Sequence, residues 1–592
     1  VTGSVPESKE ASMQVSSRAL FGRRFVRHLV RLTRVYWTSP DALKGGLLLA
    51  LTVSLEIGTV YGNVLLSYAQ RRIFDAFQSK QMAALSHAFG FFLGLALAFV
   101  FVATYRIYVR QTLEIRWRQW LTDHYLKQWI SSQAYWEIEL HCKTTDNPDQ
   151  RIAEDVRNYV ASALGLSLSL LNAFATLFSF AGILWSLSGR WAYDVGGTRI
   201  YIPGLMMWVA ILYAMVTSWF THQVGRRLVP IQFDRERFEA DFRFTLVRFR
   251  ENVEGVALLH GEDGERRSAL ERFQRVVGNW LQLIRAQRDL MLLTTGVGQA
   301  NSLVPLLVAA PGYFAGSLTL GDVMQTTIAY GQVSGALVWF VNAYQEIAQW
   351  RASIERLFTF TEQIESTCAD FERAGGIHVE QLHDGALRLD HVRLTLPDGP
   401  VLVEDANAVI KPGDYVALLG PSGAGKRTLL RAIAGIWRFG RGRIELPEQA
   451  RTMFLSQRPY LPIGTLRAVL SYPAPEGTFP DERLRQTLRL LGLDALADRL
   501  DETAHWEQYL SGGEQQRLAV VRVLLHEPDW IFFDGATSSL DEETEKRVYM
   551  LLRKRLPRSA VVSIADRSSV AQFHERRWTL MPHGTVTALQ TA

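Results

Sequence analysis

Six stretches of this chain are apolar for about 20 residues each, the length at which an α-helix crosses a bilayer with every backbone N–H and C=O bonded internally. They lie near 44–66, 84–106, 158–186, 201–222, 290–314 and 320–344. The second, "FGFFLGLALAFVFVATY", is the most apolar, whereas Gln299, Asn301, Asn342 and Gln345 dilute the last two. Polar residues at that depth predict spans that face one another or a cavity rather than lipid. A chain of 592 residues with a mean hydropathy near zero hides this division, because its final 210 or so residues read as an ordinary soluble domain.

The connections between spans are unequal. Those from second to third and from fourth to fifth are long, charged and helical in pattern, and they carry Arg110, Arg116, Arg118, Arg226, Arg227, Arg235, Arg237 and Arg243. The bias of Lys and Arg toward cytoplasmic loops predicts that these connections and both termini lie inside. Ahead of the spans, residues 1–40 form a basic amphipathic segment. Arg23, Arg24, Arg27, Arg31 and Arg34 share a helical face opposite Phe21, Phe25, Leu29 and Leu32, a pattern suited to an anionic membrane surface and not to nucleic acid. The N-terminus has no short apolar core followed by a cleavage site, so the spans are expected to act as their own insertion signal. Cys142 and Cys368 are the two cysteines, and their spacing indicates neither a disulfide framework nor a zinc site.

The predicted organisation is therefore a basic segment over 1–40, a six-helix membrane domain over 41–360, a charged linker over 361–384 and an α/β domain over 385–592. In the last, short β-rich runs such as "DYVALLG", "TMFLSQ", "DWIFFD" and "AVVSIAD" alternate with helical patterns, which implies a largely parallel sheet flanked by helices. The segment Gly420, Pro421, Ser422, Gly423, Ala424, Gly425, Lys426 follows the strand "YVALL" and opens the helix "RTLLRAIAGIW". Glycines there let backbone N–H groups approach phosphate, the helix N-terminus favours an anion, and Lys426 reaches the outer phosphates. Ser511, Gly512 and Gly513 in "YLSGGEQQRLAVVRVLL" open a second helix as a further anion cradle. The strand "DWIFFD" ends in Asp534, suited to holding Mg²⁺.

In this order the motifs resemble those of the ABC transporter ATPase: Walker A at 420–426, the signature Leu510, Ser511, Gly512, Gly513 and Glu514, Walker B ending at Asp534, and a D-loop at Ser538, Ser539, Leu540 and Asp541. Gln457 matches the Q-loop glutamine that, with Asp534, senses the metal. The resemblance implies ATP and Mg²⁺ as cofactors and a nucleotide held between the Walker side of one chain and the signature of another. In the membrane half, "DNPDQRIAEDV" (146–156) and "ENVEGVALLHGEDGE" (251–265) resemble the peroxisomal fatty-acyl transporter branch and its bacterial relatives, among them cobalamin and peptide importers and the SbmA/BacA-type permeases. A chain with six spans and one such ATPase domain is then a half-transporter that works as a dimer.

Three positions depart from the family. Arg427 stands where a Ser or Thr hydroxyl binds Mg²⁺, and Thr428 is one residue out of register for that role; Gly535 replaces the glutamate that polarises the attacking water; Asp566 replaces the histidine that meets the γ-phosphate. Losing a general base alone costs about 10²- to 10⁴-fold in rate. All three changes fall on the Walker side, while signature and D-loop keep the family's residues. This implies an impaired site in cis, a competent signature offered in trans, and a heterodimer in preference to a homodimer; Arg427 and Asp566 are expected to offset each other's charge.

In the first span Glu56, Thr59, Asn63, Ser67 and Gln70 recur at helical spacing, a polar stripe through an apolar helix. Glu56 and Asn63 are candidates for a proton or substrate path, with a structural carboxyl bonded inside the helix bundle as the competing explanation. Together these features predict a multi-pass protein of a bacterial inner membrane, its nucleotide domain cytoplasmic, moving a large amphipathic solute such as a peptide, a cobalamin-like molecule or an acyl compound. A proton-coupled permease with a vestigial ATPase domain and a nucleotide-responsive membrane regulator are the two alternatives.

Overall fold

A computed structural model describes residues 23–131, 135–136, 148–188, 192–195, 198–373, 376–382, 385–397, 399–448, 450–564, 568–583 and 586–591. Two compact units emerge: Val1–Gln128 with Asp146–Gln363, and Trp129–Thr145 with Ile364–Ala592.

The first unit is mainly helical, with one short strand pair, Ala192–Val195 against Thr198–Tyr201. Its longer helices are α1 (Arg23–Trp37), α2 (Ala42–Gln78), α3 (Met82–Ser131), α4 (Val156–Ser188), α5 (Leu205–Gly225), α6 (Leu228–Glu251), α7 (Glu262–Phe314), α8 (Leu320–Leu337) and α9 (Trp339–Arg373). Among the described residues five helical stretches, Ala42–Gln78, Met82–Ile130, Pro148–Ser188, Leu205–Glu251 and Glu262–Phe314, are long and apolar enough to cross a membrane, by length and composition. The outward side chains of α2 and α3, among them Leu47, Leu51, Phe91, Leu97 and Phe101, are exposed apolar surface that lipid would cover.

The sixth predicted span, 320–344, forms α8 and the start of α9 and lacks that composition. The reason is its surroundings. Asp322, Gln325 and Thr326 are at most 4 % exposed, and Arg71 of α2 pairs with Asp322 at 2.8 Å. The first N–H groups of α8, which have no partner inside the helix, are accepted by α2: Leu320 donates to Gln78 Oε1 and Gly321 to Asp75 Oδ1. A helix enclosed by neighbours is satisfied by them and does not need an all-apolar surface.

Helix α1 differs from expectation in a similar way. Phe25, Leu32 and Tyr36 are buried, with Phe25 edge-on to Trp350, His28 stacked on Phe358 and Tyr36 stacked on Trp117. Its apolar face is thus covered by protein rather than by a bilayer surface; Phe21 lies outside the described residues.

The second unit is built on a ten-stranded sheet in the order His378–Leu382, Gly440–Pro447, Leu387–Thr395, Val401–Ile410, Val586–Thr591, Arg576–His583, Tyr415–Leu419, Ala560–Ile564, Trp530–Asp534, Thr452–Ser456. Four of these carry the site: β1 (Tyr415–Leu419), β2 (Thr452–Ser456), β3 (Trp530–Asp534) and β4 (Ala560–Ile564). They pair in parallel, β1 to β4, β4 to β3 and β3 to β2. Strands buried on both faces read as continuous apolar runs, and "YVALL", "WIFFD" and "AVVSI" do so.

Candidate functional site

Parallel pairing places Leu418, Ile564, Asp534 and Ser456 in one row across the sheet. Strand spacing of about 4.8 Å therefore gathers whatever follows each strand end into one crevice, the usual ligand position in an open α/β sheet. The loop from Gly420 follows β1, Gln457 follows β2, and Asp534 closes β3. Asp566, two residues past β4, lies outside the described residues.

The loop turns through left-handed backbone at Gly423 (φ 83°) and Gly425 (φ 88°), conformations in which a Cβ is strained, and a Cβ on Gly425 would stand 2.9 Å from Val403 Cγ2. Gly425 caps the helix α10 (Lys426–Ile433), which directs its first N–H groups at the loop. Lys426 Nζ donates to Gly420 O at 2.6 Å, so the lysine lies across the loop it serves. Pro421 and Ser422 are exposed, and Thr428 is half-buried.

Arg427 is the unexpected part. Its Nε donates to Asp534 Oδ1 at 2.9 Å and its Nη2 to Gln457 Oε1 at 3.0 Å. The guanidinium thus bridges the two oxygens to which the sequence assigned the metal, and the geometry gives Arg427 a carboxylate partner other than the expected Asp566. Gly535 sits next to this contact with φ 64°.

The signature and D-loop form a second station. Ser511 caps α11 (Gly512–His526) in a capping box: Glu514 accepts the Ser511 N–H at 2.9 Å and its hydroxyl at 2.7 Å. The hydroxyl and N–H bonds from Ser511 hold the Glu514 carboxyl below its ordinary pKa. Leu510 is buried under the turn, and Gly513 packs on the backbone of Ser539, where a Cβ would stand 3.2 Å from its carbonyl oxygen. Asp541 caps the following helix by accepting from Thr544 N at 2.8 Å, which lowers its pKa and gives it a structural task.

Gln516 links the two stations, and sequence reasoning passed over it. It is 1 % exposed; its Nε2 donates to Gln457 O at 2.9 Å and to Ser538 Oγ at 3.2 Å, and its Oε1 accepts from Ser539 N at 2.9 Å. Its only local signal is a polar residue at an inward position of the apolar helix "GGEQQRLAVVRVLL".

The same unit contains a residue from the long connection after α3. Trp136 donates its indole N–H to Ile436 O at 2.8 Å, and the Arg431 guanidinium lies 5.2 Å from its ring centroid.

In the helical unit, Glu56 is 5 % exposed and its Oε2 accepts from Arg106 Nη1 at 2.8 Å and from Asn172 Nδ2 at 3.1 Å. The remaining stripe also turns inward: Thr59 and Ser67 are buried and bond their own helix carbonyls, and Asn63 and Gln70 are half-buried. Beside Glu56 is a cavity of about 310 Å³ lined by Arg106, Ile107, Arg110, Gln111 and Glu114. The family-marking segment at 146–156 is described from Pro148, where a π-helical turn (Arg151–Asp155) buries Asp155 between Arg151 and Arg356. The other, at 251–265, runs from the end of α6 through a short helix (Val253–Leu258) into the start of α7 and exposes Val253, Leu258 and Leu259.

Residues 32–314 match the family described as ABC transporter transmembrane region 2, and 403–538 match the family described as ABC transporter. An uncharacterised ABC transporter ATP-binding protein of Synechocystis sp. is 35 % identical over 90 % of this chain and 81 % of its own length. The inner membrane ABC transporter ATP-binding protein YddA of Escherichia coli is 32 % identical over 93 % of this chain and 96 % of its own. The ABC transporter D family member 2, chloroplastic, of Arabidopsis thaliana is 30 % identical over 91 % and 84 %. Helical membrane unit, parallel-sheet nucleotide domain, motif order and these full-length likenesses agree: the chain belongs to the ABC transporter family as an ATP-binding half-transporter of the D-family type, a membrane-spanning protein that works as a dimer to move a substrate across its membrane.

Proposed function

We propose that this chain is the non-hydrolysing half of a heterodimer, holding ATP on its own Walker side and offering its signature, Leu510 to Glu514, to a partner's competent site. The observation that carries this reading is the Arg427 guanidinium lying between Asp534 and Gln457, beside Gly535. A site that turns ATP over needs charge stabilisation at the phosphates and an activated water. Here the Walker B carboxylate is engaged by an internal cation, and the next residue carries no side chain.

The solute is a large amphipathic one, a peptide, a cobalamin-like molecule or an acyl compound. The cavity beside Glu56, lined by Arg106, Arg110 and Glu114 with Ile107, offers charged and apolar surface together, enough to meet part of such a solute. The membrane is a bacterial inner membrane with the nucleotide domain in the cytoplasm, in keeping with the arginine-rich connections. Glu56 is held by Arg106 and Asn172, which favours a structural carboxylate or a substrate contact over a free proton carrier.

The test is ATP turnover by the purified chain alone and together with its partner. The chain alone hydrolyses ATP at background, and the pair hydrolyses it at a rate that collapses with Ser511→Arg in this chain. Rapid turnover by the chain alone would refute the assignment. Uptake that persists without ATP and collapses with an uncoupler would favour the proton-coupled permease instead.

A further inference from the structure

Members of this family typically use Mg²⁺ with ATP, and the residues at this site do not fit that ion. Mg²⁺ requires near-octahedral oxygen ligands. A guanidinium has no lone pair to offer and is always charged. Arg427 also engages one oxygen of each of the two residues left to the metal, with Nε on Asp534 Oδ1 at 2.9 Å and Nη2 on Gln457 Oε1 at 3.0 Å. An ion seated between those oxygens would have to displace a fixed positive charge.

We propose that Arg427 is a tethered cation in the metal's place, so that the Walker side of this chain takes ATP without a divalent ion. The proposal rests on the ATP-binding reading above. Of the five N–H donors of a guanidinium, the two contacts leave three that can meet phosphate oxygens, in the planar fork that suits them. Asp534 with Arg427 carries no net charge, so no uncompensated carboxylate opposes the nucleotide, and free ATP, with two more negative charges than its Mg²⁺ complex, is drawn to Lys426 and the helix start at least as strongly as that complex. As an ion pair whose arginine is 54 % exposed, the contact adds little to folding stability; its consequence lies in where it puts the charge.

The experiment titrates the full-length chain in lipid nanodiscs with a fluorescent ATP analogue at fixed ionic strength, once with excess Mg²⁺ and once with EDTA. The wild type is expected to bind in EDTA at least as tightly as with Mg²⁺. Arg427→Ser, which restores a hydroxyl and removes the cation, is expected to bind about tenfold more weakly in EDTA than with Mg²⁺. Paramagnetic resonance of Mn²⁺ with ATP gives an independent readout: protein-bound Mn²⁺ appears with Arg427→Ser and not with the wild type. Wild-type binding that falls tenfold or more in EDTA overturns the tethered cation and leaves ATP binding standing. Absence of binding in both buffers, with a signal no greater than that of Lys426→Ala, overturns both. The wild-type comparison decides the matter even where the serine variant does not fold.

Discussion

Restoring a glutamate after Asp534 is the direct attempt to revive hydrolysis, and the structure predicts that Gly535→Glu alone fails for two separable reasons, one of stability and one of turnover. Gly535 has φ 64°, and a residue with a Cβ adopts that left-handed conformation at a cost of roughly 1–2 kcal/mol. The cost is backbone strain and not collision, since a Cβ there would meet Gln457 Cβ at an ordinary 3.6 Å. For a unit of this size that penalty lowers the melting temperature by roughly 2–8 °C, and Gly535→Ala should lower it equally because the strain does not depend on the carboxylate. The second reason is Arg427, whose guanidinium is bonded to the adjoining Asp534 and is a cation for a new carboxylate to pair with instead of activating water. A general base contributes about 10²- to 10⁴-fold, or about 2.7–5.5 kcal/mol of barrier, and the backbone strain, carried alike by ground and transition states, lowers stability without lowering this gain for Arg427→Ser with Gly535→Glu. Phosphate release from the purified chain in nanodiscs reads the outcome. Background turnover is expected for each single variant and a rise of roughly tenfold or more for the double. Turnover restored by Gly535→Glu alone would refute the blocking role of Arg427, and an unchanged melting temperature for Gly535→Ala would refute the strain.

Burial moves the His574 imidazole down to about 4, with Nδ1 beside Val570 O and Nε2 on Ser563 Oγ. Because its folded pKa lies below the ordinary 6.5, the unfolded chain takes up the proton first; stability is full above pH 6.5 and falls by up to about 3 kcal/mol as pH drops toward 4. Denaturant unfolding against pH should show a slope in that window that His574→Gln reduces. Gln516→Leu leaves Ser539 N without its buried acceptor and should cost about 1–3 kcal/mol, with altered nucleotide-driven dimerisation as the functional readout. Glu56→Gln leaves Arg106 without its anion, so Glu56→Gln with Arg106→Gln should be less destabilised than the two single costs summed; additivity would dissolve the pair. Uptake by Glu56→Gln that keeps its full pH dependence would also remove Glu56 as a proton carrier. Trp136→Ala removes a hydrogen bond and a cation–π contact from the nucleotide unit and should cost about 1–3 kcal/mol in denaturant unfolding; unchanged stability would deny the indole a structural part there.

What the sequence disclosed and what it withheld follow from how far each feature reaches along the chain. The phosphate loop, signature and Walker B strand are legible because their chemistry is local: glycines, a helix start and an apolar strand end within a few residues of one another. Gln457 is legible by order alone. The partners of Arg427 lie 30 and 107 residues away, so the letter announced a departure without saying that the side chain bridges the two remaining oxygens. The stretch 320–344 reads as a sixth span, yet α8 falls short of that composition because its polar groups are met by Arg71, Asp75 and Gln78, contacts that periodicity and hydropathy do not display. The apolar face of α1 was legible as a face, yet its cover could have been lipid or protein, and only tertiary contact with Trp117, Trp350 and Phe358 settles which.

Trp136 illustrates a constraint on how such a protein can be cut and recombined. Although it precedes α4, the stretch Trp129–Thr145 groups with Ile364–Ala592, and its indole closes over Ile436 and Arg431. A cassette expressed from residue 364 onward would lack that cover and present an uncapped carbonyl and an unstacked arginine to solvent. A chimera that grafts a relative's cassette onto this membrane unit would join a foreign surface to this tryptophan. The heritable module is discontinuous: Trp136 and the surface of Ile436 and Arg431 that it covers have to change together, and a graft that respects only the linear boundary would be expected to lose that packing.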